Sequence, residues 1–274
     1  MLRSISIVLM LILVGCAGSA APPTPTPTDP LALIAEAAEN IRAAETFRID
    51  VSQTGPDYTI LTEYAPVYFR RASAQYVAPG MMQATVRVIA AGLPLDVDVF
   101  ANGAAQWYRA IWTGNNWIDE AFAPGFNPET LIASETGFQA ALNALTDLDY
   151  AGEESLESGA PVHHIAARAQ GEEVNALLAG LIETRGEVDV DVYIHRETRM
   201  PVRFVITEYD SPYAATPEAG EEAAPVVWII DLYDINAPAE LATPEVRAAS
   251  TAEATAEATG EISGFTPSLG LFGS

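Results

Sequence analysis

The sequence predicts an α+β fold: one large antiparallel sheet curled over a few short helices. Segments of apolar alternation number about eleven, against about four short helical intervals. The links between many of them are tight, as at Ala78-Pro79-Gly80, Ala91-Gly92 and Ala101-Asn102-Gly103-Ala104, and strands joined so closely pair antiparallel. In Leu95-Asp96-Val97-Asp98-Val99 and Val188-Asp189-Val190-Asp191-Val192 the carboxylates share one face and the valines the other, so the sheet is wet on one side. So few helices cannot cover both faces of a sheet this large. The apolar face must therefore curl inward, around either a packed core or a cavity.

Taken in order, the chain opens on Arg3, an apolar run from Ile5 to Val14 broken by Ser6, and then Gly15-Cys16. At roughly 15 Å as a helix the run is too short to span about 30 Å of hydrocarbon, and reads as an export signal over residues 1–15. Leu13-Val14-Gly15-Cys16 resembles the lipobox of bacterial lipoproteins. That resemblance implies a diacylglyceryl group on the Cys16 thiol, cleavage before Cys16 and acylation of the new amine. Two or more acyl chains anchor stably where one is marginal. Residues 16–29 then form the acylated cysteine and a Pro/Thr tether, whose composition favours extended polyproline II.

The folded domain is expected over residues 30–240. Asp29 caps a helix with Pro30 in its first turn, and Leu33, Ile34, Ala37, Ala38, Ile41 and Ala44 form one apolar stripe. Strands follow near 47–51, 58–64, 66–78, 81–90, 94–101 and 105–112, then helical stretches at 127–132 and 134–145. Strands near 148–157, 161–169, 186–196 and 200–210 come next, with a helix over 172–183 between the second and third. In the strand at 200–210, Arg203 and Thr207 face outward and Phe204 and Ile206 inward, with Val205 a local break. An acidic, Pro/Ala-rich insert, 211–225, reads as a long mobile loop before a last strand at 226–235. Residues 241–274, mostly Ala, Thr and Glu, read as a disordered tail.

Composition excludes several functions. The chain has 274 residues, a net charge of −24 and one cysteine. That charge argues against a nucleic-acid partner, because binding a polyanion needs a basic patch to release counterions. A disulfide framework and a Cys-based zinc site are ruled out by the single thiol. All 13 basic residues are arginines, which removes lysine chemistry. Of the three histidines, His163 and His164 are adjacent on a strand and point to opposite faces, so they cannot share a metal. Asp96/Asp98 and Asp189/Asp191 could hold calcium weakly, but read first as a solvated acidic face. No nucleophile or metal-protease motif is present, so no catalytic residue, cofactor or metal is expected.

The inner-face candidates are Val97, Val99, Val190, Val192, Phe204, Ile206, Ile230 and Leu232, which would form a packed core or line a cavity. Trp107, Trp112 and Trp117 lie beside the helical stretch, where amphipathic rings would pack in the core or line a rim.

The order of elements resembles the mycobacterial LppX/LprG-type lipoproteins (LppX_LprAFG), similar in fold to the periplasmic carrier LolA. The resemblance rests on Glu45-Thr46-Phe47-Arg48 after the first helix and on Trp107-Tyr108 and Trp117. It continues through Phe126-Asn127-Pro128, Leu131-Ile132 and Glu135-Thr136-Gly137-Phe138, then Val162-His163-His164-Ile165, Arg199-Met200-Pro201-Val202-Arg203 and Asp234-Ile235-Asn236-Ala237-Pro238. The acidic insert and the long tail depart from that pattern. The resemblance implies a half-barrel enclosing an apolar cavity for acylated lipid, glycolipid or lipoprotein chains. It also implies anchoring at the extracytoplasmic face of the cell membrane, or at an outer membrane if there are two. Burying acyl chains yields about 0.8 kcal/mol per CH₂, so specificity must come from the opening. Two other readings stay open: a sensor or interaction scaffold of the same fold, and an enzyme built on a carboxylate pair.

Overall fold

The structure is a computed structural model and describes residues 28–60, 67–123, 125–179, 182–216 and 223–246. Cys16, the signal, most of the tether and the tail beyond 246 lie outside the described residues. Helix α1 spans Pro30–Arg42 and is capped by Asp29, whose carboxylate accepts the Leu31 N–H at 3.0 Å. Its stripe of Leu33, Ile34, Ala37, Ala38 and Ile41 is buried.

The strands are β1 (Thr46–Thr54), β2 (Thr59–Ile60), β3 (Val67–Val77), β4 (Met81–Ala90), β5 (Leu93–Asn102), β6 (Ala105–Arg109), β7 (Thr146–Ser155), β8 (Pro161–Gln170), β9 (Glu187–His195), β10 (Pro201–Glu208) and β11 (Val226–Tyr233). They form one sheet in the order β6-β5-β4-β3-β1-β11-β10-β9-β8-β7, with β2 paired to β3. Every pairing is antiparallel. The sheet does not close: β6 and β7 are its edges. Acidic residues along β7, among them Asp147, Asp149, Glu153 and Glu154, guard that edge against further pairing.

Period-two alternation holds across the sheet. The outer face carries cross-strand ion pairs, including Arg87–Asp96 at 2.6 Å, Arg109–Asp98 at 2.8 Å and Arg203–Asp231 at 2.6 Å. Exposed pairs of this kind contribute about 0–1 kcal/mol each. Their larger effect is on register, since a slip of one residue would turn these carboxylates into the core.

The inner face packs on α1 and on α2 (Phe138–Asn143). Phe138 joins the two halves of the sheet: its ring meets Phe47 of β1 edge-on at 5.9 Å and stacks on Phe204 of β10 at 6.2 Å. Phe47 in turn stacks on Tyr76 of β3 at 4.6 Å.

Several expected elements differ. Among the described residues, the helix expected over 172–183 is α3 (Gly171–Val174) and a 3-10 turn, Asn175–Leu178, followed by Ala179 with φ +54. Here the chain folds back on itself: Gly171 N–H donates to the Gly186 carbonyl at 2.7 Å, and Asn175 Oδ1 accepts the Thr184 N–H at 2.8 Å. The strand expected to reach 112 ends at Arg109, because Thr113 turns the chain into a 3-10 turn, Ile111–Thr113, by accepting the Ala110 N–H at 3.1 Å. Helix α2 starts only at Phe138. Gly137 before it lies so near the Leu131 carbonyl that a Cβ would stand 2.2 Å from the oxygen. Of the strand expected over 58–64, Thr59–Ile60 is described, and residues 61–64 lie outside the description. Val205 is no break, since it takes its outward place opposite Asp191 and Ile229.

The start of the acidic insert is anchored rather than loose. Thr59 N–H donates to the Tyr213 carbonyl at 2.8 Å and Ala215 N–H to the Asp57 carbonyl at 2.9 Å. Residues 217–222 lie outside the description. After β11, Asn236 N–H donates to the Thr46 carbonyl at 2.7 Å, and Leu241 lines a groove of about 250 Å³ with Arg48, Gln75 and Gln83 on the outer face.

Candidate functional site

The concave interior is the natural candidate site. Val97, Val99, Val190, Val192, Phe204, Ile206, Ile230 and Leu232 all face it, none more than 6% exposed, and belong to one continuous apolar cluster with α1 and α2. They come from four strands, β5, β9, β10 and β11, and meet across the helices because alternation aims each of them at the same side.

The three tryptophans are not brought together there. Trp107 lies on the outer side of β6 against Phe100, with ring centroids 5.7 Å apart. Trp112 sits on the 3-10 turn and is 38% exposed. Trp117 lies under the Arg109 guanidinium at 4.8 Å. The ring that does enter the interior is Trp228 of β11, fully buried, edge-on to Tyr58 at 4.9 Å and 5.5 Å from Phe69.

Two polar groups interrupt the apolar interior at the end where β10 runs into the insert. Glu208 continues the inward parity of Phe204 and Ile206 and is 1% exposed. One of its oxygens accepts the Arg185 N–H at 3.1 Å, while Oε2 has no partner among the described residues. Burial pushes its carboxyl pKa up, against the Arg185 N–H and the Ser211 hydroxyl, which hold it down. That hydroxyl stands beside the carboxyl without well-formed hydrogen-bond geometry. The Trp228 indole N–H is likewise buried without a partner among the described residues. Trp228 and Glu208 sit two positions apart along the β10–β11 ladder, because Trp228 pairs with Ile206. Tyr58 closes this end, donating to the Glu183 carbonyl at 2.9 Å, and burial drives its phenol pKa strongly up.

Parity marked both residues. Glu208 follows Phe204 and Ile206 at steps of two, and Trp228 precedes Ile230 and Leu232 by the same step.

The opposite end is closed by a polar network. His163 faces inward from β8, with Nδ1 3.0 Å from the Tyr150 hydroxyl and Nε2 in contact with the Arg199 guanidinium. Because the guanidinium only donates, the network assigns the His163 proton to Nδ1 and a neutral ring. Burial, and then the positive charge of Arg199, lower its pKa. Arg199 also pairs with Glu36 of α1 at 3.7 Å, and Asn40 of α1 donates to the Arg199 carbonyl at 3.3 Å. His164 points to the outer face and meets Asp191 at 2.7 Å.

The aspartate pairs considered for calcium have protein partners. Asp96 takes Arg87; Asp98 takes Arg109 and the Thr85 hydroxyl at 2.7 Å; Asp189 takes Arg168 at 3.3 Å. Among the described residues no group of three or more His, Cys, Asp and Glu side chains could hold a metal. Among them, too, no helix is long and apolar enough to cross a membrane. An outer-face groove of about 670 Å³ lies between the β7–β8 hairpin, the β9–β10 turn and the end of β11, lined in part by Leu156, Met200 and Tyr233.

Comparison with known proteins adds to this geometry. The family model described as LppX_LprAFG lipoprotein matches residues 29–225. The crystal structure of LprF from Mycobacterium bovis is similar with a TM-score of 0.55 at 11% identity, over 78% of this chain and 96% of that one. The lipoprotein LppX from Mycobacterium tuberculosis has a TM-score of 0.50 at 16% identity, over 78% of this chain and 99% of that one. At such identity the likeness concerns the fold. No curated protein matches the chain by sequence.

Proposed function

The chain belongs to the LppX_LprAFG lipoprotein family, and from that premise we propose that it is a lipid carrier held outside the cell membrane by acyl chains on Cys16. Its cargo is an acylated lipid, glycolipid or lipoprotein chain, taken into the interior between sheet and helices. The observation that carries this reading is that interior: one apolar concave face running through β1, β3–β5 and β8–β11, under helices of only 13 and 6 residues. A six-residue helix is held by packing rather than by its own hydrogen bonds. Helix α2 is therefore the element an acyl chain displaces, exchanging one apolar contact for another while each buried CH₂ contributes about 0.8 kcal/mol.

A second reading is favoured by one observation. The eight inner-face side chains named above are already packed at 6% exposure or less, as in a protein-binding scaffold that carries nothing. Native mass spectrometry with lipid extraction, on the full chain purified from an envelope fraction, separates the two. A carrier retains acylated lipid, and Val190→Trp, which fills the interior, loses it while still melting cooperatively. A clean protein that takes up no lipid from a mixed envelope extract leaves the scaffold reading.

A further inference from the structure

Large apolar side chains are exposed on two neighbouring turns at the β6 edge of the sheet. Leu93, where the chain leaves the β4–β5 turn, is 63% exposed; Ile111 and Trp112, on the 3-10 turn after β6, are 68% and 38% exposed. Continuing the Asp98–Arg109 register places Ile111 beside Asp96, and the 3-10 turn packs on β5, so the two turns lie at the same end of the sheet at its β6 edge. Both turns have defined geometry. Ala91 and Gly92 take positive φ values of 49° and 76°, as a two-residue hairpin turn requires. The 3-10 turn is held by the Thr113 hydroxyl, whose single proton is within donating distance of the Ala110 carbonyl at 2.9 Å and the Asn116 carbonyl at 2.8 Å, and which accepts the Ala110 N–H at 3.1 Å.

The charge around this corner differs from that of the chain. Residues 67–118 hold four arginines and two aspartates in a chain of net charge −24. Extended to residues 57–120, which add Asp57, Glu63, Asp119 and Glu120, the region holds four basic against six acidic side chains, a net −2. A phospholipid surface therefore repels this part of the molecule less than the strongly acidic remainder.

We propose that Leu93, Ile111 and Trp112 form a docking corner for the headgroup interface of a phospholipid bilayer. The proposal rests on the carrier reading, since a carrier must meet the surface it loads from or delivers to. The shape favours a bilayer over a protein partner. The apolar groups stand on turns beside exposed Gly114, Asn115 and Asn116. An indole with one apolar and one polar edge is the side chain that settles at headgroup depth.

The test is quenching of tryptophan emission in the full chain, held through its N-terminal segment on vesicles of phosphatidylcholine brominated high on the acyl chains. The wild type is expected to be quenched and Trp112→Phe to lose most of that quenching, although Trp107, Trp117 and Trp228 remain. Leu93→Asn with Ile111→Asn is expected to weaken partitioning of the domain onto the surface by about tenfold or more. Equal quenching in Trp112→Phe, or none in the wild type, overturns the proposal. So does a vesicle-independent dimer lost on the same substitutions, which would make the corner a contact between copies. Native mass spectra of the same samples keep the two readings apart: retained lipid without quenching overturns the docking corner alone, and quenching without retained lipid overturns the carrier alone.

Discussion

Glu208 and His163 are a buried carboxyl and a buried imidazole that face the interior, and they respond to pH in opposite directions. The folded chain raises the Glu208 pKa above its ordinary value. It therefore holds that proton more tightly than the unfolded chain, and the associated stability is lost as pH rises through the folded value. Glu208→Gln keeps an acceptor for the Arg185 N–H and removes the charge, so it is expected to raise the melting temperature at pH 7. The gain should shrink toward pH 4, as differential scanning calorimetry at both values would show; a lower melting temperature at pH 7 contradicts the account. The folded chain lowers the His163 pKa. The unfolded chain therefore binds more protons between the folded value and about 6.5, and stability falls as pH drops through that window. The groups around it are Tyr150, Glu153, Arg196 and Arg199. His163→Gln should flatten the decline in a melting series from pH 7 to pH 5, and an unchanged slope would assign that decline to other groups.

At the scale of elements, stability and legibility follow the same logic. Asp29→Ala removes the side-chain cap of α1 and is expected to cost about 1 kcal/mol in a urea titration. Phe138→Ala removes the ring that joins β1 to β10 through α2, at a cost of about 3–5 kcal/mol. If Phe138→Ala costs no more than the cap, Phe138 does not join the two halves of the sheet. Helix α1 and the long strands were legible because each carries one period over many residues and one buried face. The stretch 172–183 was not. Val174, Leu177, Leu178 and Ile182 have helical spacing and are all buried, but the contacts that end the helix join Gly171 to Gly186 and Asn175 to Thr184. No local pattern announces those contacts. Within the site, Glu208 and Trp228 could be found by parity alone. Parity sets Trp107 on the face opposite Tyr108, so its nearness in sequence to Trp112 and Trp117 does not bring the three rings together.

For the whole molecule, the sheet is an open, curved wall with an acidic outer face, two polar end networks and an apolar interior that short helices cover. Exposed ion pairs on the outer wall specify register more than they stabilise, and the interior supplies most of the driving force for folding. The same interior is the proposed seat of cargo, so lipid and helix α2 compete for one apolar surface. A ligand that binds only the folded chain also raises its stability by mass action. The melting temperature of chain purified with lipid should therefore exceed that of delipidated chain.

The most direct test of the central claim is photo-crosslinking with a phospholipid that carries a diazirine in its acyl chain, with adducts mapped by peptide mass spectrometry. The account expects adducts on the inner-face residues of β9, β10 and β11, around Val190, Phe204 and Ile230, and on α2. Adducts confined to Leu93, Ile111, Trp112 and the N-terminal segment would contradict it, leaving a protein that touches membranes and carries no lipid inside.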